Sequence, residues 1–500
     1  NYGEFYEKRH YCAAPAGIKE IRFAGQTALF GTKLLFRCES MLEFTLAVEI
    51  CEDLWAPLPP STAHALAGAT VIANLSASDE TVGKAEYREA LVSQQSARLL
   101  CAYLYADAGH GESTTDMVFS GHNLIAENGT ILAESRRFVN GALYADLDIH
   151  RLDNERRRMT TCRFVPDLAP EGQDVFYNEV YFNAGRGVTP LTRKFDSRPF
   201  VPGIKEERER RCDEILNIQA MGVKKRLAHI HCQNAVIGLS GGLDSTLALL
   251  VTVRTFDLLG LPRSGIIAVT MPCFGTTDRT YENACLLAKT LGTTLREVDI
   301  RESVTRHFTD IGQDMECHDV TYENGQARER TQVLMDIANK ENALVIGTGD
   351  MSELALGWAT YNGDHMSMYG VNAGVPKTLV RHLVAYYADT CNNAELTAVL
   401  KDVLDTPVSP ELLPPVEGNI AQKTEDLVGP YELHDFFLYY MLRCGYAPDK
   451  VYRIARETFE GKYDDPTIRK WLKNFYRRFF TQQFKRSCLP DGPKVGSVAL

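Results

Sequence analysis

Apolar and polar positions follow different patterns in the two halves of the chain. Before about residue 190, the apolar runs 44–50 (FTLAVEI) and 69–77 (ATVIANLSA) predict strands, and the amphipathic run 85–106 predicts a helix. Two further strand-like runs flank the tetrapeptide ENGT at 127–130, and Asn-Gly is the strongest short signal for a β-hairpin. The first half is therefore predicted to be mixed α/β with antiparallel pairing.

From residue 206 onward, apolar runs alternate regularly with helical stretches. Strands separated by helices of about 10–15 residues imply crossover connections, so this half is predicted to form a parallel, doubly wound sheet. The run 191–205, with mixed charge and two prolines, is predicted to link a domain at 1–190 to a domain at 206–500, whose residues from about 378 are mostly helical. The predicted strands are 235–240, 265–272, 294–300 and 343–349, and the predicted helices are 206–231, one that begins at Leu243, one near 279–292, and 326–340.

The composition is that of an ordinary globular protein of 500 residues, 45% hydrophobic and 24% charged, with room for about two or three domains. The formal net charge of −11 argues against a nucleic-acid or anionic-membrane partner. Thirteen cysteines without CxxC or Cys/His metal spacing are typical of a reducing compartment, so we expect a cytoplasmic protein. No apolar run approaches the roughly 18 residues of a membrane span. Because the chain opens on Asn1, we expect the natural polypeptide to continue beyond one or both ends.

The sharpest chemical signal is GLSGGLDST at 238–246, between a predicted strand and a predicted helix. Adjacent glycines let backbone N–H groups approach a bound anion, and the N-terminus of the following helix favours phosphate. Asp244 can hold Mg²⁺ against phosphate oxygens. The lysine of the common phosphate loop is missing, so this segment predicts a phosphate site of a different kind.

A second signal is EICEDLW at 49–55, which places Cys51 among three carboxylates directly after a predicted strand. Negative neighbours raise the pKa of a thiol and hold it protonated and unreactive. Cys51 is therefore either a small buried residue that ends a strand, or a nucleophile whose activating base comes from elsewhere.

Longer motifs resemble known families. SGGLDS resembles the pyrophosphate loop of the ATP pyrophosphatases, and TYENGQARERTQ, GTGDMSELALGWATYNGDHMSMYG and YELHDFFLYYMLRCGYAPDK resemble glutamine-dependent NAD⁺ synthetases. NYGEFYEKR, EICEDLWAP, NLSAS and YADAGHGESTTDMVFSGHNLIAENG are similar to the nitrilase-type amidase domain of the same family. The resemblance spans nearly the whole chain. It implies an α/β fold with an N-terminal α-β-β-α nitrilase-like sandwich, incomplete at its N-terminus, and a C-terminal doubly wound ATP pyrophosphatase domain with a helical tail.

For the amidase half, the resemblance implies that Cys51 attacks the side-chain amide of glutamine, forms a thioester and releases ammonia. The lysine and glutamate that complete the family's Glu-Lys-Cys triad are expected upstream of Asn1. The implied glutamine-binding residues are Tyr2, Ser78 and Lys84, where Lys84 replaces a commoner arginine.

For the synthetase half, the resemblance implies that ATP adenylates deamido-NAD⁺ with release of pyrophosphate, and that ammonia then displaces AMP. It implies ATP and Mg²⁺ as cofactors and a homo-oligomer, with Asp244 and Glu353 as metal ligands. At most one of Arg328 and Arg330 is expected to contact phosphate, because they lie two positions apart on a helix. The implied ATP-binding residues are Gly238, Leu239, Ser240, Gly241, Gly242, Leu243, Asp244, Ser245 and Thr348, and the implied deamido-NAD⁺-binding residues are Asn324, Glu353, Trp358, Ala359, Thr360, Tyr361 and Lys485.

Three other functions compete with this one. Asparagine and GMP synthetases also join a glutaminase to an ATP pyrophosphatase, but they use an N-terminal cysteine or a Cys-His-Glu triad, and neither signature surrounds Cys51. A tRNA-modifying pyrophosphatase would be expected to show a basic face, which the charge of −11 disfavours. A non-catalytic regulator built from a decayed amidase is hard to reconcile with the intact SGGLDS loop in the synthetase half, whereas the residues of the amidase half leave this alternative open.

Overall fold

The computed structural model describes residues 11–14, 17–112, 116–161, 177–185, 187–188, 190–203, 205–409, 412–414 and 424–500. The chain divides into two compact units, residues 1–194 and 195–500. No helix among the described residues is both long enough and apolar enough to cross a membrane.

The first unit contains a seven-stranded mixed sheet of order β8-β7-β6-β5-β4-β3-β9 and a separate β1-β2 hairpin. Strands β4, β5 and β6 are parallel, and β6, β7 and β8 are antiparallel. The elements are β1 (Lys19–Phe23), β2 (Gln26–Phe30), β3 (Leu34–Cys38), β4 (Thr45–Ile50), α1 (Pro60–Leu66), β5 (Val71–Ser76), α2 (Lys84–Leu99), β6 (Ala102–Asp107), β7 (Leu124–Glu127), β8 (Thr130–Glu134), α3 (Ile149–Arg158) and β9 (Asn178–Phe182), with a 3-10 turn at Cys51–Trp55.

Helices α1 and α2 cover one face of this sheet. Val92 and Leu99 of α2 pack with Ile72 and Tyr103 in a buried cluster. On the opposite face, α3 packs at one end through the buried Leu152. The α/β class and the hairpin at ENGT are confirmed.

The helix predicted over 85–106 is correct as far as Leu99 and wrong beyond it. Leu100 adopts a left-handed conformation, with φ of 49°, and ends α2. Residues 102–107 form β6, which pairs with β5 on one side and β7 on the other. A short apolar run such as CAYLYA fits a buried helix or a central strand equally well by periodicity, and here the neighbouring strands decide.

The second unit is built on a parallel sheet of order β12-β11-β10-β13-β14, which confirms the doubly wound prediction. Helix α8 begins earlier than predicted because Asp319 caps it by accepting from the backbone N–H groups of Thr321 and Tyr322. The strands are β10 (Asn234–Gly238), β11 (Ile266–Thr270), β12 (Thr294–Glu297), β13 (Ala343–Gly347) and β14 (Tyr369–Gly370). The helices are α4 (Arg208–His229), α5 (Leu243–Leu259), α6 (Asp278–Leu291), α7 (Arg301–Ile311), α8 (Val320–Glu341), α9 (Met351–Leu356), α10 (Lys377–Thr390), α11 (Ala394–Asp405), α12 (Thr424–Val428), α13 (Tyr431–Leu442), α14 (Pro448–Thr458), α15 (Asp465–Thr481) and α16 (Gln483–Arg486).

The strand order places a binding crevice at the centre of this sheet. The chain runs outward from β10 through β11 to β12, then returns to the other side of β10 with β13. In such sheets ligands bind beyond the carboxyl ends of the strands where the order reverses. The SGGLDS loop leaves β10 at that position.

Candidate active sites

The SGGLDS loop is shaped by contacts that leave no room for side chains. Gly241 has φ of +80°, and a Cβ there would lie 2.0 Å from the carbonyl oxygen of Thr280 in α6. The backbone N–H of Gly242 donates to Ser240 Oγ at 3.2 Å, and Thr246 Oγ1 donates to the Gly242 carbonyl at 2.8 Å. The loop therefore delivers the N-terminus of α5 to the crevice in a fixed conformation, as anion binding requires.

Three carboxylates converge beside this loop. Oxygen atoms of Asp244, Asp350 and Glu353 all lie within 4.8 Å of one another. The ammonium of Lys377, only 4% exposed, lies between them, 2.6 Å from both Asp244 and Asp350 and 2.8 Å from Glu353. The cluster assembles from four chain positions: the start of α5, the N-cap and first turn of α9, and the first residue of α10.

The electrostatics of this cluster favour a bound cation. Burial raises the pKa of Asp244 to about 7 and that of Glu353 to about 8, although Lys377 opposes both shifts. Burial also disfavours the charge on Lys377, yet the surrounding carboxylates hold its pKa well above the usual value. Asp244 Oδ1 is buried and has no hydrogen-bond partner among the described residues. One ammonium leaves part of the negative charge uncompensated, and carboxylate oxygens are the ligands that Mg²⁺ prefers.

A cavity of about 390 Å³ extends from this cluster. Arg330 lines it, whereas Arg328 is exposed and donates to the Tyr361 carbonyl at 3.3 Å, so one of these two arginines faces the cavity. Among the predicted residues, Gly241 and Tyr361 are not part of the lining. The predicted residues that line it are Gly238, Leu239, Ser240, Gly242, Leu243, Asp244, Ser245, Asn324, Thr348, Glu353, Trp358, Ala359, Thr360 and Lys485.

The wall that carries Trp358 to Thr360 is held by the C-terminal helices. Lys485 Nζ donates to the carbonyls of Gly357 at 2.9 Å and Ala359 at 2.6 Å. Arg478 Nε donates to the Leu356 carbonyl at 3.0 Å. These carbonyls follow the last turn of α9, where backbone acceptors lack partners and cations are favourable.

Cys51 in the first unit begins a 3-10 turn with φ of +47°, a conformation that residues other than glycine rarely adopt. Asn74 clamps both of its backbone polar groups: Oδ1 accepts from the Cys51 N–H at 2.8 Å, and Nδ2 donates to its carbonyl at 3.3 Å. Ser76 Oγ donates to the Cys51 Sγ at 3.3 Å and is paired with the Tyr105 hydroxyl at 2.6 Å.

The three carboxylates of EICEDLW point in different directions. Glu49 is buried, which raises its pKa, and accepts from the Tyr103 hydroxyl and the Ser61 N–H. Asp53 accepts from the Ile50 N–H at 2.8 Å, and Glu52 is exposed. Glu49 and Asp53 therefore have structural partners of their own, whereas Glu52 is exposed.

The structure describes two of the three predicted glutamine-binding residues. Lys84 lies 2.5 Å from Asp79 and 5.7 Å from the ring centroid of Trp55, which ends the 3-10 turn of Cys51. Ser78 is buried, and its N–H donates to Asp107 Oδ1 at 2.9 Å. Tyr2 lies outside the described residues.

Comparison with known proteins identifies the family. The model of the NAD synthase family matches residues 215–461. The glutamine-dependent NAD(+) synthetase of Mycobacterium tuberculosis (strain H37Rv) is 43% identical over 523 aligned positions, which cover 99% of this chain and 76% of that protein. The chain belongs to the glutamine-dependent NAD(+) synthetases.

Two other proteins are also similar to this chain. The glutamine-dependent NAD(+) synthetase of Aquifex aeolicus is 28% identical, with 91% of this chain and 73% of that protein covered. A crystal structure of the Cytophaga hutchinsonii glutamine-dependent NAD(+) synthetase is 21% identical and covers 97% of this chain and 74% of that one, with a TM-score of 0.47. The family resemblance predicted from the motifs is confirmed, and the asparagine, GMP and tRNA-modifying alternatives are not favoured.

Sequence reasoning missed four residues that organise these sites. Asp350 and Lys377 complete the carboxylate cluster, and Asn74 clamps Cys51. Asp435 of α13 is 1% exposed and accepts from Ser352 Oγ, the Thr378 N–H and the Thr378 hydroxyl. Asp350 had a local signal, since it lies three residues before Glu353 in the position of a helix N-cap.

Proposed function

We propose that the chain converts deamido-NAD⁺ to NAD⁺ by ATP-dependent amidation, using ammonia released from glutamine. The observation that carries this function is the cavity shared by the SGGLDS loop, the carboxylate cluster and the Trp358–Thr360 wall. A phosphate site and a dinucleotide site in one cavity suit a reaction in which one substrate attacks a phosphate of the other.

In the synthetase half, the nicotinate carboxylate attacks the α-phosphate of ATP, forms an acyl adenylate and releases pyrophosphate. Ammonia then attacks the acyl carbon, the bond to AMP breaks, and the ammonium proton is lost to leave the amide. The SGGLDS loop and the N-terminus of α5 hold the phosphates, while Trp358 and its neighbours hold the dinucleotide. Asp244 and Glu353 would hold Mg²⁺, which supplies charge neutralisation at the phosphates when bound.

In the amidase half, the base takes the Cys51 thiol proton, the sulfur attacks the carboxamide carbon of glutamine, and the base returns the proton to the amide nitrogen. The C–N bond then breaks, ammonia leaves and a thioester remains. Water then hydrolyses the thioester to glutamate and restores the thiol. Asn74 holds the backbone that presents the sulfur, and Ser76 donates to it. The base is assigned by resemblance to the lysine and glutamate expected upstream of Asn1.

The test compares three variants with wild type on two nitrogen sources, with NAD⁺, AMP and pyrophosphate measured by chromatography. Asp244→Asn should lower the rate with glutamine and with ammonium by about 100-fold or more, because it removes charge at the phosphate site. Cys51→Ala should abolish glutamine-supported synthesis in the full natural protein and leave ammonium-supported synthesis intact, since the adenylate can still capture free ammonia.

The matched control is Asp278→Asn, which changes an exposed aspartate in the first turn of the neighbouring helix α6 and should leave both rates near wild type. Formation of ADP and phosphate in place of AMP and pyrophosphate would contradict the proposal. Normal rates in Asp244→Asn would exclude its metal role.

The cellular compartment and the oligomeric state are two further parts of the proposal. None of the twelve cysteines within the described residues forms a disulfide, which suits a reducing cytoplasm. The homo-oligomer implied by the family resemblance remains a prediction that analytical ultracentrifugation can test.

A further inference from the structure

Arg478 on α15 is a cation of the cavity wall to which no role is yet assigned. It lines the cavity together with Glu353, Trp358 and Lys485. Its guanidinium carbon lies 5.2 Å from the ring centroid of Trp358, and its Nε donates to the Leu356 carbonyl at 3.0 Å. The cation–π contact and the Nε bond together hold the guanidinium group at the cavity wall.

The two Nη atoms of this guanidinium remain available to a ligand. Neither Nη atom of Arg478 has a hydrogen-bond partner among the described residues, and no carboxylate there lies within ion-pair distance of it. Arg486, on the next helix, differs because its two Nη atoms donate to the carbonyls of Ala355 and Phe479. Arg478 thus offers the cavity a half-buried pair of N–H donors with no protein acceptor.

We infer that Arg478 binds an oxyanion of deamido-NAD⁺, an inference that rests on the proposed function. A planar guanidinium with two adjacent free donors matches the paired oxygens of a carboxylate or a phosphate, and burial strengthens such bonds. The guanidinium lies on Trp358, in the wall predicted to hold the dinucleotide, whereas the loop predicted to hold ATP phosphates follows β10. The dinucleotide is therefore the favoured ligand over ATP.

Deamido-NAD⁺ offers two such oxyanions, the nicotinate carboxylate and the diphosphate. Comparison of substrate with product distinguishes these two groups, because the product NAD⁺ keeps the diphosphate and carries an uncharged amide in place of the carboxylate. Inhibition by NAD⁺ therefore distinguishes the two contacts. Loss of a carboxylate contact leaves NAD⁺ inhibition unchanged, and loss of a diphosphate contact weakens it in parallel with substrate binding.

The experiment uses ammonium-supported synthesis by Arg478→Gln, with Arg477→Gln as the matched control. Arg477 is the preceding residue of α15 and is exposed, and within the described residues its side chain bonds only to Asn474. We expect the KM for deamido-NAD⁺ to rise about 10-fold or more in Arg478→Gln, the range for losing hydrogen bonds to a charged group. The KM values for ATP and ammonium, and kcat, should stay within about twofold of wild type, as expected when uniform binding is lost. The KM of Arg478→Lys for deamido-NAD⁺ should lie between those of wild type and Arg478→Gln, because lysine keeps the positive charge but lacks the paired N–H donors of the guanidinium.

Several results would overturn this assignment. An unchanged KM for deamido-NAD⁺ in a folded variant, or an equal rise in the KM for ATP, would remove Arg478 from the dinucleotide site. A fall in kcat alone would show that Arg478 only supports the backbone of Leu356. If Arg478→Gln does not fold, Arg478→Lys provides the same comparison of KM values. If wild type forms no NAD⁺, the proposed function fails, and calorimetric binding of deamido-NAD⁺ to wild type and Arg478→Gln still tests the contact.

Discussion

The backbone conformation that positions the Cys51 sulfur depends on one amide side chain, that of Asn74. Asn74 is fully buried, bonds to both backbone groups of Cys51, and donates to the Tyr103 hydroxyl at 3.1 Å, which in turn bonds to Glu49. A strained backbone persists only where its surroundings determine it. The buried, hydrogen-bonded chain of Asn74, Tyr103 and Glu49 holds the Cys51 backbone in this conformation.

Replacing Asn74 should therefore disable the amidase without touching the thiol. In Asn74→Ala we expect glutamine-supported synthesis to fall about 10-fold or more, because a small displacement of a reacting atom is costly. Ammonium-supported synthesis should be unchanged. The rate of Cys51 alkylation by iodoacetamide, followed by mass spectrometry, should change in the same variant.

Asn140 provides the control for this prediction. Its side chain makes the same pair of bonds to the backbone of His110, at 2.9 Å each, so Asn140→Ala removes an equivalent clamp from another residue. Equal losses in both variants would mean that Asn74 matters for folding and not for presenting Cys51. Asn74→Asp keeps the acceptor to the Cys51 N–H and serves if the alanine variant is unstable.

At the scale of elements, one carboxylate joins three helices of the second unit. Asp435 of α13 accepts from Ser352 of α9 and from Thr378 of α10. Ser352 precedes the cluster carboxylate Glu353, and Thr378 follows Lys377. A helix outside the sheet thus sets the distance between two groups of the carboxylate cluster.

Asp435→Ala should consequently lower kcat for synthesis with either nitrogen source by about 10-fold, while the KM for glutamine hydrolysis stays near wild type. The reason is that Glu353 and Lys377 lose a shared support, which shifts charges that must be placed accurately. The measurement is steady-state kinetics, with circular dichroism to establish folding. Glu432→Ala is the control, since Glu432 lies on the same helix and pairs with Lys462. A normal kcat in folded Asp435→Ala would refute the support role.

At the scale of the whole molecule, the described residues of each candidate site belong to a single unit. Every residue that lines the synthetase cavity belongs to residues 195–500, and so does its hydrophobic core. Cys51, Asn74 and Ser76 all belong to residues 1–194. From the described residues, we therefore expect the synthetase reaction to need no side chain from the first unit.

A fragment of residues 195–500 should fold and make NAD⁺ from ammonium at a rate within about 10-fold of the intact chain, because its core and cavity are complete. It should make none from glutamine. Purification of the fragment followed by assay with both nitrogen sources checks this. A folded fragment that is inactive with ammonium would show that the first unit contributes to the synthetase site.

The sequence predicted the parts of the sites that are local. SGGLDS carries its own strand, turn and helix, and Asp244 within it is predicted from the motif, whereas Glu353 is assigned by resemblance. Trp358 and Lys485 were assigned only by resemblance. Lys377 could not be found in the same way, because its contact with Asp244 joins residues 133 positions apart. Asn74 likewise looked like an ordinary strand residue, since its role depends on which strand lies beside β5.

The left-handed backbone of Cys51 also has an evolutionary consequence. A residue other than glycine in this conformation costs about 1 kcal/mol, and cysteine gives no conformational advantage there. Under the proposed function, selection for glutamine use therefore maintains at position 51 a residue that is less favourable than glycine in this conformation. A lineage supplied with free ammonia would lose that selection, and glycine would then be the residue that accumulates at position 51. The identity of this one residue in a descendant would record the nitrogen source on which its ancestors depended.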